Sequence, residues 1–280
     1  MNLVLAISFG LIAALYLDGA QSSRPGGHPW PAWRSALFFM GLAAIGAALL
    51  SPIDALASQL FSVHMIQHML LMSIAAPLLL LGAPVRPLLR GLPRWSRVHL
   101  VRPIARSGAL RGLLHILRHP LVAGALFLGG LYAWHAPPAY EAALLDQKVH
   151  DIEHLWFLVT ALLFWSCVID PEPFHATLGY GMRIPYLAIV GAGQSLLGAL
   201  LALSSRPFYP TYTLTAAALG VDALTDQRVG GSIMWAPGDI IVFVAASIVF
   251  FQWLDHEERD QLERERKARV GASRPAGASR

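Results

Sequence analysis

Seven long apolar stretches are the feature that most limits what this 280-residue chain can fold into. They comprise residues 3–17, 33–50, 59–83, 121–136, 150–169, 184–204 and 232–254. A helix needs roughly 20 apolar residues to cross about 30 Å of hydrocarbon. The runs are continuous rather than alternating, which disfavours strands. The sequence therefore predicts an all-α, polytopic membrane protein, a bundle of seven transmembrane helices in one domain, residues 1–254.

The composition agrees with this class of protein. Only 14% of the residues are charged, whereas a soluble domain has about a quarter. A single cysteine, Cys167, excludes a disulfide framework and any Cys-rich metal motif. Together these features exclude an ordinary soluble enzyme, a disordered scaffold and a nucleic-acid binder.

The positions of Lys and Arg predict how the bundle is oriented, because cytoplasmic loops carry an excess of both. Loop 84–120 contains eight arginines and no acidic residue, and the tail 255–280 contains seven basic residues. With both segments in the cytoplasm, the amino terminus lies outside, and 18 of the 21 Lys and Arg residues lie inside. We expect the basic loop to contact anionic lipids, in part as an amphipathic helix over 110–117. We expect the tail to be a frayed helix with a disordered end.

Two pairs of histidines lie at membrane depth, where polar side chains are costly unless they are paired. His64 and His68 in the third stretch are four residues apart, so they share one face of a helix. The fifth stretch opens with His150 and His154 at the same spacing, and His135 ends the fourth. In the predicted topology all five imidazoles lie at the outer end of the bundle.

Methionines accompany these histidines. Met72 continues the column of the first pair, Met65 and Met69 form the neighbouring column, and Met234 begins the seventh stretch on the outer side. Imidazole suits copper and zinc, and thioether favours Cu(I). The pattern therefore predicts a Cu(I) site, with zinc and haem open as alternatives. The predicted ligands are His64, His68, His150, His154, Met65, Met69, Met72, His135 and Met234. Asp151 or Glu153 would orient an imidazole by accepting its other N–H.

Each of these residues also has a purely structural explanation. A methionine stripe usually packs, and an isolated intramembrane histidine often makes an interhelical hydrogen bond. Four imidazoles at one end are harder to explain by packing, which favours the metal interpretation. Cys167 lies about 20 Å further along the fifth helix and is not expected to be a ligand. The remaining histidines are expected to be interfacial or structural: His28, His99, His115, His119, His175 and His256.

Several other residues are expected to shape the bundle. Pro77 is expected to kink the third helix. The expected helix caps or turn residues of the outer loops are Asp54, Asp222 and Asp226. The expected aromatic belts contain Trp134, Trp235, Trp253, Tyr209 and Tyr212.

Four groups of motifs in residues 51–254 carry a family resemblance. They are His64-Met65-x-Gln67-His68-Met69-Leu70-Leu71-Met72 with Pro77 and Gly82-Ala83-Pro84, Trp134-His135-x-Pro137, His150-x-x-Glu153-His154 with Phe164-Trp165, and Asp226-Gln227-x-x-Gly230-Gly231-x-x-Met234-Trp235. In their order and spacing these motifs resemble the CtaG family of membrane-integral cytochrome c oxidase assembly factors.

The resemblance implies a seven-helix protein of the bacterial cytoplasmic membrane that helps to build an active haem-copper oxidase by handling copper on the outer side. The implied partners are an oxidase subunit, the lipid bilayer and a copper-donor protein. Handing over a copper ion requires no covalent chemistry, so we expect no enzymatic turnover.

Three other functions stay open at this point. His150-x-x-Glu153-His154 matches the reversed zinc-protease pattern, with Glu153 as general base on a zinc-bound water. A transporter of copper or protons would need polar residues inward of Met72, where residues 73–81 and 155–167 offer few. Haem ligation by the same histidines is the third alternative.

Overall fold

Helices form all of the regular structure in the part of the chain that the computed structural model describes, residues 2–22 and 29–272. In chain order they are α1 Asn2–Gln21, α2 Ala32–Leu50, α3 Pro52–Ala57, α4 Phe61–Leu81, α5 Val85–Gly91, α6 at 94–106, α7 Gly108–Leu117, α8 Pro120–His135, α9 Pro137–Leu145, α10 Gln147–Ser166, α11 Tyr180–Ala202, α12 Pro210–Ala218 and α13 Ala223–Ala272. The predicted all-α class is confirmed. Arg24 and His28 lie outside the described residues.

Five helices are long and apolar enough to cross a membrane, namely α1, α2, α4, α11 and α13. The pair α7 and α8, bent by 67°, makes a sixth candidate if it forms one span. Helix α10 occupies the fifth predicted stretch, but Lys148, Asp151 and Glu153 make its first two turns polar. The structure therefore supports five or six spans, and the count of seven and the orientation stay predictions.

The predicted stretches all lie on helices, and the largest difference is at the last of them. Helix α13 begins at Ala223, well before the predicted start of the seventh stretch, and continues to Ala272. The first part of the predicted tail is thus a continuation of this helix. Residues 273–280, where we expected disorder, lie outside the described part of the chain.

A π-helical turn at Leu70–Ala75 interrupts α4. The Ala76 amide bonds five residues back, and Pro77 has no amide hydrogen, so the Met72 carbonyl has no donor within its own helix. The indole Nε1 of Trp165 in α10 donates to that carbonyl at 3.0 Å. The irregularity expected at Pro77 therefore takes the form of a π turn that ties α4 to α10.

Glycines let α11 and α13 pack with their backbones close together. A Cβ atom on Gly198 would lie 2.8 Å from the backbone nitrogen of Trp235, and one on Gly231 would collide with the backbone nitrogen of Ala202. Small residues permit such close approach between membrane helices. The pair forms one wall of the main hydrophobic core.

Arginines hold the loop between α10 and α11, at the opposite end of α10 from its histidines. Arg34 and Arg86 lie 2.7 and 3.0 Å from the Glu172 carboxylate, and Arg183 lies 2.9 Å from Asp170. The hydrogen bond from Arg34 holds the pKa of Glu172 below its ordinary value, and the charges of Arg34 and Arg86 act in the same direction. Segments that we predicted on the cytoplasmic side therefore meet at one end of the bundle.

Two of the residues expected in aromatic belts are buried instead. Tyr209 and Tyr212 are 1% and 2% exposed, because α12 folds against the end of the bundle that contains the histidines. The interpretation of these two tyrosines as interface residues is therefore wrong.

Candidate metal centre

Helix α4 places the first histidine pair in the interior. His64 and His68 are 0% and 1% exposed, and their ring centroids are 4.3 Å apart. The Asp226 carboxylate of α13 caps the start of α4, accepting from the Phe61 amide at 2.6 Å and also bonding to Ser62. Asp226 is therefore a cap, as expected, but of a helix distant in sequence. It fixes the first turn of α4 directly before His64.

Helix α10 places the second pair and a carboxylate in the interior. The ring centroids of His150 and His154 are 4.1 Å apart, and the Glu153 side chain is fully buried. Asp146 caps this helix by accepting from the Lys148 amide at 2.8 Å. Because Glu153 and His154 follow His150 by three and four residues, all three side chains lie on the face of α10 that is directed toward α4.

The two pairs meet between α4 and α10. Nε2 of His64 is 3.3 Å from Nε2 of His150. The Glu153 carboxylate lies 3.9 Å from Nε2 of His64 and 3.8 Å from Nε2 of His68. Donor atoms of His64, His68 and His154 lie within 4.8 Å of one another, as do those of His64, His150 and Glu153. Donors on one ion with bonds of about 2.1 Å lie roughly 3–4 Å apart, so small side-chain movements suffice for coordination.

His135 and Met65 extend the cluster on the side of α8. His135 Nδ1 donates to the Leu131 carbonyl at 2.8 Å, which leaves Nε2 with the lone pair in a neutral ring. That Nε2 lies 3.5 Å from the sulfur of Met65, which is fully buried. The ring centroids of His135 and His68 are 6.1 Å apart. The structure thus brings together all five predicted histidines and one predicted methionine.

Tyr212 fixes the tautomer of His64, a role that the sequence did not indicate. Its hydroxyl donates its one proton to the Ala57 carbonyl at 2.8 Å, so it accepts from His64 Nδ1, also at 2.8 Å. Tyr140 is placed to donate to the same oxygen at 3.3 Å. Burial raises the pKa of Tyr212, which keeps its hydroxyl protonated. The lone pair of His64 is therefore on Nε2, the nitrogen that faces the second histidine pair.

Several buried polar atoms of the cluster have no hydrogen-bond partner among the described residues. They are both ring nitrogens of His68, both carboxylate oxygens of Glu153 and Nε2 of His154. Buried polar groups are almost always paired, because an unpaired one loses its hydration without compensation. A cation between α4 and α10 would pair with one ring nitrogen of His68, Nε2 of His154 and the Glu153 carboxylate together, so this donor set fits a metal ion.

The other predicted methionines lie among different partners. The Met69 sulfur is 3.7 Å from the Ser73 hydroxyl and 3.9 Å from Nε2 of Gln194 in α11. Met72 and Met234 are buried in the main hydrophobic core. Their role as ligands stays a prediction. Ser73 and Gln194 are polar groups beyond the histidines, and Gln194 lies on α11, outside residues 73–81 and 155–167.

Gln67 anchors the segment between α2 and α4 beside the cluster. Its Nε2 donates to the Ala48 carbonyl and to the Asp54 carboxylate, both at 2.9 Å. The cap of α3 is Ser51, whose hydroxyl accepts from the Ile53 amide. Asp54 therefore links α3 to α4 through its hydrogen bond with Gln67 and is not the cap of α3.

A groove of about 530 Å³ between α1, α2, α4 and α10 reaches the cluster. Its lining is mainly leucine, isoleucine and phenylalanine, and its polar residues are Asp54, Asp151 and His154. His154 is the imidazole that borders this groove. The groove therefore gives the cluster a side opening through an apolar surface.

Comparison with known proteins connects this cluster to a family. The sequence model of the cytochrome c oxidase caa3 assembly factors (Caa3_CtaG) matches residues 14–256, which is most of the chain. The chain belongs to this family. The match confirms the resemblance seen in the sequence motifs, and the matched range contains every residue of the histidine cluster.

Curated relatives of this CtaG-family chain occur in mycobacteria. Uncharacterized proteins of Mycobacterium bovis and Mycobacterium tuberculosis are each 30% identical over 269 residues, which is 92% of the chain and 40% of the relative. One of Mycobacterium leprae is 29% identical over 262 residues, 90% of the chain and 39% of the relative. The chain thus spans about two fifths of the length of these relatives. No solved structure matches it significantly.

Proposed function

We propose that this CtaG-family chain binds Cu(I) between α4 and α10 and delivers it to a subunit of a haem-copper cytochrome c oxidase. The supporting observation is that buried ring nitrogens of His68 and His154 have no hydrogen-bond partner among the described residues and lie beside His64 and His150. Membership of the family supplies the oxidase-assembly context. In this proposal copper is the cargo of the chain.

The donor types suit a copper ion that has to be passed on. Imidazole nitrogens and the thioether of Met65 are ligands that Cu(I) accepts. Because the two histidine pairs come from different helices, a partner ligand can replace one imidazole while the others still hold the ion. The hydrogen bonds from His64 to Tyr212 and from His135 to the Leu131 carbonyl orient two of these rings for binding.

The proposal includes a topology and a location. The chain crosses the bacterial cytoplasmic membrane seven times, with α8 and α10 as spans, the amino terminus outside and the carboxyl terminus inside. A copper-donor protein then loads the cluster from outside, and loop 84–120 contacts anionic lipids. Alkaline phosphatase fused after residue 146 should be active, and fused after residue 107 it should be inactive. The reverse pattern would contradict the topology.

A membrane-embedded zinc protease is the second candidate, because Glu153 lies among the imidazoles, where a general base for a zinc-bound water would be needed. Catalytic zinc has three protein ligands and one open position. Here His64 and His68 of α4 lie where the catalytic water would bind to the zinc. This arrangement favours metal binding over hydrolysis of a substrate. Glu153→Gln separates the two functions: a protease loses its general base and its activity, whereas a carrier that holds Cu(I) through imidazoles keeps most of its function in oxidase assembly.

Oxidase assembly in a strain that lacks the gene tests the proposal. We expect low oxidase activity, restored by the wild-type chain and restored in part by added copper if delivery is the missing step. His64→Ala/His68→Ala should fail to restore it. The matched variant His119→Ala/His175→Ala, with both positions exposed and outside the cluster, should succeed. Full restoration by the first variant would contradict the proposal.

A further inference from the structure

Helix α13 carries an exposed carboxylate, Asp239, at membrane depth. The nearest charged residues on the same helix are Arg228 and Asp255. At about 1.5 Å per residue they lie roughly 16 and 24 Å away along the axis. Asp239 is therefore near the middle of the apolar part of α13, far from either membrane surface.

The side chains around Asp239 are apolar and exposed. Trp235 and Phe243, one turn on either side, share its helix face and are 38% and 74% exposed. Ile240 is 62% exposed, and Leu196 on the adjacent helix α11 is 57% exposed. The carboxylate thus interrupts a surface that would otherwise be an ordinary contact with hydrocarbon.

Among the described residues, Asp239 has one hydrogen-bond partner, the hydroxyl of Ser195 in α11. A hydroxyl donates a single proton, whereas a carboxylate has about four acceptor sites. Ionisable side chains within a membrane almost always face the bundle interior or a polar partner, because exposure to hydrocarbon is costly. No other described residue bonds to the Asp239 carboxylate, so a donor for its other acceptor sites has to come from outside the described part of the chain.

We propose that the surface formed by Trp235, Asp239, Phe243, Ser195 and Leu196 docks a transmembrane helix of a partner protein that carries a lysine or arginine at mid-membrane depth. The argument is charge complementarity, since a basic side chain supplies both the opposite charge and several donors. A second copy of this chain is not a suitable occupant, because its described residues expose no Lys or Arg at this depth. Two-fold pairing would also place carboxylate against carboxylate. The docking surface does not depend on the copper site.

Photo-cross-linking of the full chain in its own membrane tests the docking surface. The cross-linking residue replaces Phe243, and Leu121, 77% exposed on α8, is the control position. We expect an adduct at position 243 with a different membrane protein, and mass spectrometry should map it to a transmembrane helix that contains Lys or Arg. Asp239→Leu should lower the adduct yield by more than about tenfold, because a desolvated charge pair is lost. Asp239→Glu should retain it.

A second set of variants keeps the test decisive if Asp239→Leu does not accumulate. Asp239→Asn preserves the shape, removes the charge and should also lower the yield. Asp239→Lys combined with an acidic residue at the partner's basic position should restore it. Adducts of twice the chain mass, adducts with lipid alone, a partner helix without a basic residue, or a yield that Asp239 variants leave unchanged would each overturn the proposal. Copper content should stay at the wild-type level throughout, which separates loss of docking from failure of the copper site.

Discussion

His64 has the most completely determined chemistry in the cluster. Its Nδ1 donates to Tyr212 at 2.8 Å, and its Nε2 lies 3.3 Å from Nε2 of His150. Because the first nitrogen is committed to the protein, only the second is available to a metal ion. The hydroxyl of Tyr212 therefore acts on the proposed copper site through His64.

Tyr212→Phe removes the acceptor for His64 Nδ1 while keeping the buried ring. We expect Cu(I) affinity to fall about 10- to 100-fold, because the imidazole loses its fixed tautomer and orientation. Titration of the purified chain against a competing Cu(I) chelator measures this. Tyr132→Phe, which removes a 2.9 Å bond to the Gly193 carbonyl, is the matched control. Unchanged affinity in Tyr212→Phe would show that the hydrogen bond does not tune the site.

The histidine pairs could be predicted from sequence because helix geometry alone decides which side chains share a face. Tyr212 could not, since it is 148 residues from His64 and reaches it only through the packing of α12. Glu153 was expected to orient an imidazole. Its position among the Nε2 atoms of both histidines of α4 depends on how closely α4 and α10 approach, which periodicity does not specify.

At the scale of elements, the apolar stretches predicted where the long helices lie because length and hydropathy are sufficient for that. The short helices α9 and α12 and the π turn in α4 were not predicted. The π turn depends on a donor from another helix, the indole of Trp165, as well as on Pro77. The first two turns of α10 are polar because they carry His150 and Glu153 of the cluster. These residues lower the hydropathy by which a membrane span is recognised.

The two helix caps on aspartates of the 222–226 segment allow a matched comparison. Asp226→Ala removes the cap of α4, and we expect a loss of about 0.5–2 kcal/mol in stability together with weaker Cu(I) binding, because the turn before His64 frays. Asp222→Ala removes a cap at the start of α13, where the carboxylate accepts from the Thr225 amide at 2.8 Å. It should also lower the stability and should leave Cu(I) affinity unchanged.

Thermal denaturation and Cu(I) titration of the two purified variants provide the two readouts. Equal effects of Asp226→Ala and Asp222→Ala on copper binding would contradict a specific link between the α4 cap and the cluster.

At the scale of the whole molecule, Glu172 joins α2 and α5 to the loop before α11 through Arg34 and Arg86. Arg34 lowers the pKa of Glu172 in the folded state. The ion pair therefore stabilises the fold at any pH above 4.5, the ordinary pKa of a glutamate. This contribution disappears as the pH falls through the lowered pKa.

Glu172→Gln should therefore lower the thermal midpoint at neutral pH, and the difference from wild type should vanish well below pH 4.5. With Glu172 42% exposed, the effect should be at most about 1 kcal/mol and should shrink in high salt. Thermal denaturation across pH and salt concentration measures it. A difference that persists unchanged in acid would rule out the ion pair as its cause.

The metal content of the purified chain tests the central claim most directly. If imidazoles of α4 and α10 hold Cu(I), the wild-type chain loaded with copper should retain it through purification. The His119→Ala/His175→Ala control should do the same, and His64→Ala/His68→Ala should lose most of it. Equal copper in the wild type and in His64→Ala/His68→Ala would contradict the account.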